Sequence, residues 1–170
     1  PKDQFANEVS AVAAFYDRTA VFIFLKTEVY KEDPNNDFYA IGYHAMIVAA
    51  SAGSLDVVVQ LHRFGIPFSI SITGDLTPAI SAVLEDEIPT LQMLNQLHAP
   101  LASSKLSKWS PITVVAATGN VKAVRLLESK GLLQSGLDRL RLPTIAAANG
   151  QVKFIAVLSD ELSFRLDQAD

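Results

Sequence analysis

The chain has 170 residues, 49% of them hydrophobic and 19% charged, with a net charge of −4. That size predicts one domain, or two small ones, and that composition predicts a globular chain with enough apolar side chains for a sizeable core. With no cysteine in the sequence, a disulfide framework, a thiol nucleophile and a thiolate metal site are excluded, and a reducing, cytoplasmic setting is expected. The apolar run Ala20–Leu25 is closed by Lys26, far short of the ~20 residues of a membrane span, and no signal peptide precedes it.

The charge is uneven. Residues 1–100 carry 5 Lys and Arg against 12 Asp and Glu, while residues 101–170 carry 9 against 6. A basic C-terminal part of this kind can steer an acidic partner.

Residues 3–31 read as two helices. Phe5, Val9, Val12, Ala13 and Tyr16 recur at three- and four-residue spacing, which marks a helix. Thr19 is placed to cap the second helix, and the Pro, Asn and charged residues of 31–37 form a loop. This hairpin is expected to cap the remainder of the chain.

From Gly42 onward the sequence repeats. Ala45–Ala50, Gly53, Leu55, Leu61 and Gly65 form one block. Thr77-Pro78, Ala79–Val83, Asp86, Ile88, Leu94 and His98 form the next, and Ser110-Pro111, Ile112–Ala116, Gly119, Val121, Leu127 and Gly131 a third. A fourth, shorter in its lead-in, has Pro143, Ala146-Ala147, Gly150, Phe154 and Leu158. Each block reads as a short Ala/Val helix, a turn and an amphipathic helix. Ser or Thr caps the first helix with Pro in its first turn. Gly ends a helix in the left-handed conformation at low cost; His98 is expected to take that conformation with some strain.

These blocks resemble the ankyrin repeat, a unit of about 33 residues with a Thr-Pro opening, two antiparallel helices and a β-turn finger. The resemblance implies an all-α solenoid with β-turn or hairpin fingers: a capping hairpin at 1–38, four repeats at 39–73, 74–106, 107–138 and 139–159, and a terminal cap helix or tail at 160–170. The sequence departs from the family where its His is replaced by Ile47, Ile80, Thr113 and Thr144, where Asp86-Glu87 replaces a Gly turn, and where Arg141-Leu142 replaces Thr-Pro.

The same resemblance implies protein–protein binding through the concave face and finger tips. Carried over position by position, it points to Tyr43, Leu76, Trp109 and Leu140 just before the cap, and to Leu84, Glu85 and Thr118 at the end of the first helix. The apolar row suits a docking surface, with Tyr and Trp as favoured anchors. Lys108, Arg139 and Arg141 near Trp109 suit an acidic protein surface facing the third and fourth repeats. No catalysis, metal, cofactor or nucleic-acid partner is expected. His44, His62 and His98 fall in different roles of the repeat, with His44 in the capping position. Glu85-Asp86-Glu87 forms an exposed turn, and no Gly-rich phosphate loop is present. An alternative makes the chain the targeting module of a larger enzyme, such as a signalling enzyme or a bacterial effector acting in a host cytoplasm.

Overall fold

The computed structural model describes residues 2–32, 37–69, 76–101, 110–133 and 136–162, with the backbone alone at 2, 3 and 136–140. The described residues form α-helices and one π-helical turn, and no strand. The helices are α1 (Lys2–Phe15), α2 (Thr19–Phe24), α3 (Asp37–Ala52), α4 (Leu55–Arg63) and α5 (Pro78–Leu84). Then come α6 (Ile88–Gln96), α7 (Pro111–Thr118), α8 (Val121–Ser129), α9 (Gly136–Ala148) and α10 (Val152–Asp160). The π-helical turn, Leu25–Val29, continues α2.

The chain divides into two compact units, Pro1–Ala99 and Pro100–Asp170. In the first, α3 packs against both α1 and α5, α2 against α4, and α6 against α5. In the second, α7 packs against α8 and α9, and α10 against α9. The first unit buries Phe22, Phe38, Tyr43, Met46 and Leu61, and the second Ile112, Leu127, Leu133 and Phe154. At Gly42 of α3 an added Cβ would stand 2.7 Å from the Cδ1 of buried Ile66. That position is therefore closed to any side chain unless the core shifts.

Local chemistry explains where α5 and α7 begin. Thr77 Oγ1 accepts from the Ile80 N–H at 3.3 Å, with Pro78 in the first turn. Ser110 and Thr113 form a reciprocal cap: Ser110 Oγ accepts from the Thr113 N–H at 3.2 Å, and Thr113 Oγ1 from the Ser110 N–H at 2.8 Å. Each pair satisfies amide donors that the helix itself leaves open.

Where that opening is missing, the helices start earlier than the repeat spacing predicts. Ala45 stands where Pro would begin the first block, and nothing stops α3 from running back to Asp37. Phe38, Ile41 and Gly42 are buried by this extension. His44 is accordingly an exposed residue inside α3 and not a cap. In the last block α9 begins at Gly136 and carries Pro143 inside it. Pro143 lacks the N–H that would bond the carbonyl of residue 139, a local loss the helix tolerates. Thr19 is the first residue of α2, behind Arg18, and supplies no cap bond. Asp160 ends α10, and Glu161-Leu162 form a turn where a closing helix was expected to start. Residues 163–170, and most of the predicted fingers (70–75 and 102–109), lie outside the described residues.

The turns repeat in their backbone angles. Between first and second helices stand Asp17, Gly53, Asp86, Gly119 and Gly150, with φ of 56°, 73°, 57°, 70° and 70°. After the second helices stand Gly65, His98 and Gly131, with φ of 82°, 60° and 68°. Successive members are mostly 33 residues apart. The α1–α2 pair shares this construction: it has its own left-handed turn, and it packs α1 on α3 and α2 on α4.

Candidate functional site

Neighbouring hairpins are tied through their turns. Ser54 Oγ donates to the carbonyl of Phe15 at 3.2 Å, and the Val57 N–H donates to Asp17 Oδ1 at 2.9 Å. Asp17 thus caps α4 from the preceding turn, giving α4 the side-chain acceptor that Ser54 does not provide. In the second unit Gln151 Nε2 donates to the carbonyl of Ala117 at 3.0 Å. Between inner helices, Ser81 Oγ of α5 donates to the Ile47 carbonyl of α3 at 3.3 Å. The starts of α4 and α10 are thus tied to the preceding hairpin, and α5 is tied to α3.

The predicted contact row divides. Tyr43 is only 2% exposed; it lies inside α3, and its hydroxyl donates to the Leu76 carbonyl at 3.4 Å. Burial raises its pKa. The expectation that Tyr43 presents its ring to a partner is corrected on this point: the backward extension of α3 draws it into the core. Leu76 is exposed just before the Thr77 cap, and Leu84 and Glu85 are exposed at the other end of α5. These three belong to one unit and flank one helix. Thr118 is exposed at the end of α7, and Arg141 is exposed on α9. Lys108 and Trp109 lie outside the described residues, and at Arg139 and Leu140 only the helical backbone is described.

The other candidates stay apart. His62 lies in α4 with its ring stacked on Phe68 at 4.8 Å, and His98 is exposed after α6. Glu85, Asp86 and Glu87 span the turn between α5 and α6, where Asp86 has the left-handed backbone. Among the described residues no group of three or more His, Cys, Asp or Glu could hold a metal ion. No described helix is long and apolar enough to cross a membrane.

One surface feature escaped the repeat spacing. An open groove of about 640 Å³ runs over α1 and the start of α2, lined by Phe5, Val9, Val12 and Tyr16, with Glu8 and Arg18 along it. Phe5 is 69% exposed, Val12 59% and Tyr16 61%. The Phe15 and Tyr16 rings meet edge to face at 5.2 Å, and Phe15 and Phe24 are exposed as well. Helix α1 buries its small residues instead: Ala6, Ser10, Ala13 and Ala14 are all inside. Of the apolar stripe that reveals the helix in the sequence, only Ala13 is on the buried face. The missed signal is the second, small-residue stripe a third of a turn away, which permits close approach to α3.

No family model, curated protein or solved structure matches the chain.

Proposed function

We propose that the chain is an ankyrin-like helical-repeat module whose work is to bind another protein, without chemistry of its own. The observation that carries this reading is the series of left-handed turn residues at a largely 33-residue spacing, combined in the first unit with the layered packing of α1, α3 and α5. Repeats built this way stack in one dimension and present extended surfaces suited to partners. Leu76, Leu84 and Glu85 supply an exposed apolar and acidic surface around α5. Thr118, Arg139, Arg141, Lys108, Trp109 and Leu140 are the proposed contacts of the second unit, where the basic residues favour an acidic partner.

The test is affinity for a protein that co-purifies with the chain from its native cell. Leu84→Ala and Leu76→Ala are each expected to weaken binding about tenfold, equivalent to about 1.4 kcal/mol. Both residues are exposed, so circular dichroism should remain unchanged. An unaltered Kd in both variants would sink this surface.

A further inference from the structure

We infer that the open face of α1 is a stacking face, and that a second copy of this chain covers it, α1 against α1 about a two-fold axis. Ser81 stands five residues before the left-handed Asp86 and touches the preceding inner helix through the Ile47 carbonyl. Val48 holds the same place before Gly53, and Val12 holds it before Asp17. In α5 this position meets a neighbour; in α1 it is open, within a groove of large apolar side chains. A repeat face left to water needs polar side chains. Phe5, Val9, Val12 and Tyr16 give α1 the opposite, an apolar groove in which Phe5, Val12 and Tyr16 are exposed.

Charge argues for a second copy as the occupant. Glu8 and Arg18 lie toward opposite ends of the groove, on either side of Val12. A two-fold contact sets every residue against its counterpart's partner, so a patch must complement itself. An axis near Val12 and Ala13 runs the two α1 helices antiparallel, brings each Glu8 toward the other copy's Arg18, and lays Val9 against Tyr16. Arg18 makes no ion pair among the described residues, and Glu8 is engaged only by the exposed Gln4 amide at 3.1 Å. Both charges are thus available at the rim of an apolar centre, the arrangement of a stable interface. This surface is separate from the partner-binding residues around α5, so the two readings fail independently.

Sedimentation of the full chain tests it. Wild type should run as two copies at micromolar concentration, and Val12→Glu as one copy with unchanged helical circular dichroism and unchanged binding at Leu84. Glu8→Arg and Arg18→Glu should each weaken association about tenfold, and the double charge swap should restore it. A wild-type monomer up to submillimolar concentration overturns the proposal, because another occupant must then own the face. A dimer indifferent to Val12→Glu, or a double swap no tighter than the single variants, overturns it equally.

Discussion

His98 holds a left-handed backbone, φ 60°, in the place that Gly65 and Gly131 hold in the neighbouring blocks. A Cβ in that conformation crowds the following carbonyl and costs roughly 1–2 kcal/mol, whereas Gly takes it freely but loses more entropy on folding. His98→Gly is therefore expected to stabilise the chain by up to about 1 kcal/mol. The side chain is exposed, so nothing is lost in packing. Urea unfolding should show a higher midpoint with the same denaturant slope; an unchanged or lower midpoint would mean that His98 makes a compensating contact. Asp17 occupies a comparable left-handed place for a different reason, since its carboxylate caps α4. This capping role was not legible in the sequence, because it depends on which turn lies beneath which helix.

Among the elements, those with a chemical start signal were the most legible. Thr77-Pro78 and Ser110-Pro111 open α5 and α7 where the residues say they should. Ser110→Ala is expected to cost about 1 kcal/mol, and Ser110→Gly only a few tenths. Comparison of the two midpoints in urea separates the lost cap from general disturbance of a buried site, since a large loss in Ser110→Gly would point to packing. Helices α3 and α9 were less legible. Their early starts reflect the absence of a stop signal, and for α3 the burial of Phe38 and Ile41, which only the tertiary structure supplies. The same extension removed Tyr43 from the surface. Periodicity located α1 but could not say which of its two apolar stripes meets a neighbour. That choice created the open groove, and it turns on the small volume of Ala6, Ala13 and Ala14 against α3.

Across the described residues, the all-helical class and the 33-residue spacing of Gly53, Asp86 and Gly119 were visible in the sequence, while surface exposure was not. Each unit holds one group through which pH acts on it. In the second, Arg125 Nη2 and Glu161 Oε1 pair at 2.7 Å, with both side chains about half exposed. The Arg125 hydrogen bond lowers the Glu161 pKa below the usual carboxylate range. Its contribution is present above that range and is lost as pH falls through the lowered value. In the first unit, burial raises the Tyr43 pKa, so native stability declines as pH rises past the ordinary tyrosine range, where the unfolded chain ionises first. Denaturation across pH should therefore show Glu161→Gln slightly less stable than wild type at neutrality and level with it in acid. Tyr43→Phe should flatten only the alkaline limb. A variant that alters the opposite limb would refute the assignment.

The left-handed turn residues carry a consequence for how such a chain can change in length. Gly65 and His98 both have a left-handed φ, 82° and 60°, and each is followed by a buried residue, Ile66 and Ala99, whose N–H bonds back to Leu61 and Leu94 at 3.1 and 2.9 Å. Copying the 33 residues from Ile66 to His98 in tandem would create one new junction, in which His98 precedes Ile66 as Gly65 now does. Growth by duplication of a whole unit is thus compatible with the left-handed positions that bound it.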